Sequence, residues 1–189
     1  MDFLKKRGSA ILIFVAVVII FSLIGCHLSL SKACRNVEKG FFSPESNASS
    51  NYYTCPGDQL GYCVKYANRL MAVISGCDEL TEDYAAVRDA RQALDETLQS
   101  GDISGIYKAN EALKKAVSGV EAKVNAGAQL PQTNDDYGTI ISDFTSAEAL
   151  VARSSYNDNV DVFCQNVAGT FPTSLLRVLS GVKLPEKFA

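Results

Sequence analysis

Histidine occurs once in the 189 residues, at His27, and no CxxC pair is present. Zinc sites draw on clustered Cys and His ligands, so the chain offers no legible donor set for zinc. Beyond His27, Lys and Arg are scattered singly apart from Lys114-Lys115. A protein that grips a phosphate backbone clusters its cations, and nucleic acid is therefore not expected as a partner. No GxSxG elbow organises the many Ser and Thr residues, and no glycine-rich loop would cradle a phosphate. His27 stands at the edge of an apolar run with no second group beside it for acid–base work. The carboxylates of Asp78, Glu79, Glu82 and Asp83 fall within two helical turns and could attract a divalent cation, but the pattern is that of a solvated helix face. No enzyme activity and no cofactor is expected.

What is present begins with the anchor. From Gly8 to Ser31 there is no formal charge, and GSAILIFVAVVIIFSLIG within that run is nearly all apolar. Those residues as a helix reach about 36 Å, enough to cross a hydrocarbon core of about 30 Å. Lys5, Lys6 and Arg7 precede the run, which keeps the short N-terminus in the cytoplasm and sends the rest across. The same residues carry a second reading. Leu23-Ile24-Gly25-Cys26 has the form of a bacterial lipobox, in which Cys26 is lipidated and becomes the first residue. Either anchor places residues 32 to 189 on the outer face of a membrane, so the bilayer is the first expected partner. Beyond His27, 20 acidic residues stand against 15 basic ones.

If Cys26 is lipidated or lies at the bilayer surface, Cys34, Cys55, Cys63, Cys77 and Cys164 remain in the exported part, enough for disulfides. Cys55 and Cys63 could close a local loop. Reduced thiols packed as small apolar side chains are the alternative.

The periodicity predicts an all-α protein. The anchor would continue through Ala33, Val37 and Phe41 as helix one and break at or shortly after Gly40. Residues 43–58 read as a loop, rich in Ser, Asn and Pro and holding the sequon Asn47-Ala48-Ser49. From Leu60 to about Gln99, steps of three and four through Val64, Ala67, Met71, Ile74, Cys77, Leu80, Tyr84 and Val87 predict one long second helix. Ile103, Ile106, Asn110, Leu113, Val117, Val120 and Val124 keep a heptad spacing in the third, with Asn110 read as a register-setting polar residue. A fourth runs from Asp135 or Asp136 to about Ala168, with a polar or small middle and Tyr156 in the core, its hydroxyl bonded to a neighbouring helix. Short connections make neighbours antiparallel, so the expectation is an up-down-up-down four-helix bundle with long helices and a short C-terminal amphipathic segment. Three regions follow: an anchor over 1–31 (or a lipoprotein signal to 25), a bundle over 32–170, and a segment over 171–189. That topology brings Phe171-Pro172 to the bilayer surface, where Leu175, Leu176 and Leu179 either cap the bundle's lower end, the reading adopted, or lie in the interface. It also brings Cys34 and Cys164 to the membrane-proximal end as the first candidate disulfide.

Val151-Ala152-Arg153-Ser154-Ser155-Tyr156-Asn157-Asp158, then Phe171-Pro172-Thr173-Ser174-Leu175-Leu176 and Leu184-Pro185-Glu186-Lys187-Phe188, resemble the VARRDYN, FPTNLL and C-terminal pattern of the LemA family. Ala90-Arg91 and Ala109-Asn110-Glu111-Ala112-Leu113 are weaker echoes. The resemblance is specific over residues 145 to 188. It implies a bacterial protein with an N-terminal membrane segment or lipobox and an antiparallel helical bundle, and it implies no settled biochemical activity. Thr145-Ser146-Ala147-Glu148 departs from the family's run before VARRDYN, as does the loop over 43–58.

Two functions are open. One is a non-catalytic, membrane-tethered module that binds another envelope protein or itself, with Tyr107, Leu150 and Val151 as apolar residues left over from the core. The other is a bundle that holds a small ligand or lipid in a cavity near Ser154 and Ser155.

Overall fold

The computed structural model describes residues 7–43, 55–130 and 135–189, with backbone alone at Arg7 and Asp135. The sequon and most of the loop expected over 43–58 lie outside the described residues. All regular structure among those described is helical. In chain order the helices are α1 (Arg7–Phe42), α2 (Pro56–Ile74), α3 (Thr81–Ser100), α4 (Ile103–Asn125), α5 (Asp135–Ala152), α6 (Tyr156–Phe163) and α7 (Thr173–Ser180). A 3-10 turn, Asp78–Leu80, leads into α3, and a π turn, Cys164–Ala168, extends α6.

The chain divides into two compact units. The first comprises Met1–Lys39 and Asp158–Pro185, the second Gly40–Asn157 and Glu186–Ala189. The division runs inside both α1 and α6.

In the first unit α1 dominates. It is 36 residues long, carries a stretch of mean hydropathy 2.9, and is the one helix among those described that is long and apolar enough to cross a membrane. None of that stretch is buried against protein. The helix runs through Gly40 and ends at Phe42. Packing begins only at its later turns, where Leu30 and Cys34 meet Val182, with Phe163 against them. His27 Nδ1 donates to the Ser180 carbonyl at 3.0 Å. Gly169 ends the π turn because a Cβ there would sit 2.8 Å from the Cys164 carbonyl oxygen.

In the second unit the expected long second helix is two helices. Ser75 (φ −60°, ψ 126°) and Gly76 (φ 86°) form a type II turn closed by Cys77 N–H on the Ile74 carbonyl at 3.2 Å. Only glycine takes that third position without strain. The apolar face survives the break, with Leu60, Val64, Ala67, Ile74, Cys77, Leu80, Val87 and Leu94 all buried. α2 packs on α3 and α5, and α3 packs on α4. Residue pairs fix the sense. Cys63 and Arg69 of α2 face Glu148 and Asp143 of α5, so numbers rise along one helix as they fall along the other. Lys123 and Asp83 do the same for α4 and α3.

α4 carries the heptad as expected: Ile103, Ile106, Asn110, Leu113, Val117 and Val120 are buried, and Val124 is half-buried. Asp102 caps it by accepting from Gly105 N–H at 3.0 Å. The expected fourth helix is interrupted at Arg153–Ser155, separating α5 from α6. Small polar residues at 154 and 155 hold no apolar position that would carry the packed face through, and the chain turns there.

Candidate functional site

α4 and α5 each present a line of side chains at helical spacing to a shared cleft. From α4 come Tyr107, Asn110, Glu111 and Lys114, and from α5 Thr145, Glu148, Ala149 and Ala152. The α5 wall is mostly small, which leaves an open cleft of about 530 Å³ that Ser154 and Asn157 also line. The sequence predicts an internal cavity near Ser154 and Ser155; this cleft takes in Ser154 alone of the two and opens to the surface between α4 and α5.

Glu148 is the chemical centre of the cleft. Its side chain is 14 % exposed. Oε2 accepts from Asn110 Nδ2 at 3.1 Å and Oε1 from the Cys63 thiol at 3.4 Å. Lys114 Nζ stands 3.9 Å from Oε2 but only 2.7 Å from Glu111, so its charge is engaged at the rim. Burial pushes the Glu148 carboxyl above the ordinary carboxylate range, against the lowering effect of the Asn110 and Cys63 hydrogen bonds and of Lys114. The Cys63 thiol is raised too, by burial first and then by Glu148. The Glu111 hydrogen bond raises Lys114 and keeps it charged. Asn110 is 2 % exposed, and its Oδ1 is buried without a partner. Asn110 therefore does more than set register, since its amide carries Glu148 while its carbonyl faces no donor.

The last residues of the chain close one end of the cleft. Asn157 Nδ2 donates to the Phe188 carbonyl and Asn157 Oδ1 accepts from Phe188 N–H, both at 2.9 Å. The Tyr156 hydroxyl donates to the Glu186 carbonyl in this tail at 2.6 Å. Glu186 Oε2 accepts from Ser104 N–H at 3.3 Å, in the first turn of α4, where a carboxylate is favoured. The Phe188 ring meets Tyr107 edge-on with centroids 5.3 Å apart and Phe41 at 5.4 Å.

The other residues singled out by sequence are dispersed. Val151 is buried and Tyr107 is half-buried against Phe188, leaving Leu150, 44 % exposed, alone of the three proposed interaction residues. Cys55 caps α2 and Cys63 lies two turns along it, about 12 Å apart. A disulfide spans at most about 7 Å between Cα atoms, so that pair cannot bridge. Cys34 and Cys164 share the first unit, lie within electrostatic reach of each other, and are both free thiols. Cys26 is half-buried on an unbroken stretch of α1. Leu175 and Leu179 are exposed and Leu176 half-buried, and no side chain of α7 is buried. Asp83 of the acidic run is held by Lys123 at 2.6 Å, and among the described residues no three His, Cys, Asp or Glu side chains converge as metal ligands.

Glu148 was missed in the sequence. The signal was there: it lies four residues after Phe144, at the edge of the face that buries Ile140, Phe144, Ala147 and Val151, and a carboxylate there has to meet a partner or a cleft. No family model matches the chain, and no curated protein and no solved structure matches it.

Proposed function

We propose that the protein is a non-catalytic, membrane-tethered helical module that binds a small amine-bearing ligand in the cleft between α4 and α5. The observation that carries this reading is the buried Glu148 beside the unpartnered Asn110 Oδ1 at an open cleft. A buried carboxyl and an amide oxygen without a donor suit an ammonium group, and Phe188 and Tyr107 supply an aromatic edge for an apolar body. Because burial raises the Glu148 carboxyl, its protonation competes with the ammonium, and affinity falls as pH drops.

In this reading α2 to α5 form the up-down-up-down four-helix arrangement, in place of one that used the continuation of the anchor. Lys5, Lys6 and Arg7 hold the N-terminus in the cytoplasm, and the second unit lies outside. The LemA resemblance accords with such a tethered module. An intact mass of detergent-extracted protein decides between a retained span and lipid on Cys26. Docking to an envelope protein through Tyr107, Leu150 and Val151 has less support, since two of the three are engaged within the second unit.

The test uses benzylamine as probe and benzyl alcohol as its neutral counterpart, titrated into the isotope-labelled full chain in detergent. Benzylamine is expected to shift the Asn110, Glu148 and Cys63 resonances with about millimolar affinity, and Glu148→Gln to remove the effect. Equal binding of the alcohol, or binding indifferent to Glu148→Gln, would sink the reading.

A further inference from the structure

Polarity in the first unit is turned inside out. Beyond Leu28, that unit exposes Val162, Val167, Phe171, Leu175, Val178 and Leu179, while the second exposes only Phe42, Tyr62 and Leu150 among its large apolar residues described. On α7 the exposed positions 175, 178 and 179 recur at helical spacing, and Phe171 extends the same face. Phe171 is 83 % and Val178 69 % exposed. The one charged residue of the helix, Arg177, points the other way. Its Nε is buried without a partner, and its charge lies within reach of Cys34. A helix bathed in water hides its apolar stripe and shows its charge. In lipid the order reverses, because there the charge is the group that needs protein around it.

The depth of α7 is fixed within the same unit. Ser180 accepts from His27, and Val182 packs on Leu30 and Cys34. The uncharged run of α1 ends at Ser31, and Lys32 is the first charge after it. The C-terminal turn of α7 therefore lies level with the place where the apolar part of α1 gives way to charge. Charge is sorted as well: the first unit carries 8 Lys and Arg against 4 Asp and Glu, the second 10 against 17.

We propose that α7 is an interfacial helix. It lies in the bilayer surface beside the end of the α1 span, with Phe171, Leu175, Val178 and Leu179 in the acyl boundary and Lys32, Arg35 and Lys183 at the level of anionic headgroups. Its occupant is lipid. The proposal rests on α1 crossing the membrane, as the functional reading above also does.

The chain has no tryptophan, so single-tryptophan variants report cleanly. The full chain is reconstituted in phosphatidylcholine vesicles containing about a quarter phosphatidylglycerol. Val178→Trp and Leu179→Trp probe α7, Phe14→Trp probes the span, and Tyr62→Trp marks a water-facing site in the second unit. Brominated lipid should quench V178W and L179W at least about half as well as F14W, and iodide should reach them about tenfold less well than Y62W. Iodide quenching equal to that of Y62W would place the face in water, and shielding from both quenchers would mean that protein covers it. Either result overturns the proposal. If brominated lipid fails to quench F14W, the premise of a span falls, and that failure is distinguishable because it appears on α1 whatever α7 does.

Discussion

Asn157 tests how the tail is held. Replacing it with alanine removes two hydrogen bonds of 2.9 Å, one in each direction, to the Phe188 backbone. A part-buried hydrogen bond contributes about 1 kcal/mol net, and stranding its backbone partners adds to that, so the loss comes to about 2–3 kcal/mol. The Tyr156 bond to Glu186 and the packing of Phe188 remain. The tail then stays docked but opens more often, by about 30- to 150-fold at about 1.4 kcal/mol per factor of ten. Hydrogen exchange reads this directly, because the Phe188 amide is itself the donor to Asn157 Oδ1. Asn157→Asp keeps that acceptor and loses the donor to the Phe188 carbonyl, so its Phe188 amide should exchange more slowly than in N157A. Amides in the middle of α3 and α4 should not change in either variant. If the Phe188 amide in N157A keeps its protection to within about threefold, the clamp does not hold the tail and the reasoning is wrong.

The cleft predicts a pH signature. The Glu148 carboxyl is raised in the folded protein, so its stabilising contribution is full below the ordinary carboxylate value and is lost as pH rises through the raised one. Glu148→Gln should therefore gain on the wild type between about pH 4 and about pH 8 in denaturant unfolding, and a constant difference would refute the assignment. Leu113→Ala empties a fully buried position on α4 and should cost about 2–5 kcal/mol, whereas Lys123→Met, which breaks a surface ion pair, should leave the unfolding midpoint nearly unchanged in the same assay. Gly76→Ala forces a side chain into φ 86° and should cost about 1–2 kcal/mol, with a shift in midpoint as the readout. Timed alkylation at mild alkaline pH should leave Cys63 unmodified longest, because its thiol is fully buried and its ionisation is opposed by burial and by Glu148.

The sequence disclosed different parts of this protein to different depths. α4 was legible nearly residue by residue, because its apolar positions never leave the helical period and Gly127 closes it. Residues 60–99 showed the correct buried face and the wrong connectivity. Ile74, Cys77, Leu80 and Tyr84 keep steps of three and four across the type II turn, so hydrophobic phase alone cannot detect the break, and only the Ser75-Gly76 dipeptide marks it. The length and apolar character of α1 were plain from composition. The face of α7 was seen, but periodicity says only that one side is apolar, not what medium covers it, and the segment was read as a cap. Glu148 escaped notice because its character depends on neighbours from α2 and α4 that are remote in the chain. The tail contacts escaped for the same reason, since Asn157 and Phe188 are 31 residues apart.

Seen as a path, the chain leaves the second unit after Asn157 and re-enters it at Glu186. The departing residue and the returning segment are tied by one carboxamide. Everything between, Asp158–Pro185, has the standing of an insertion whose two ends are stitched together by Asn157 on Phe188 and Tyr156 on Glu186. Insertions of that kind are exchangeable, since the host keeps its own core and asks only that the ends stay close. The paired hydrogen bonds that help hold the two ends together come from the side chain at 157 and the backbone at 188. In a lineage of such proteins, the carboxamide at 157 would be held fast, while 188 need only keep a backbone N–H and carbonyl in place.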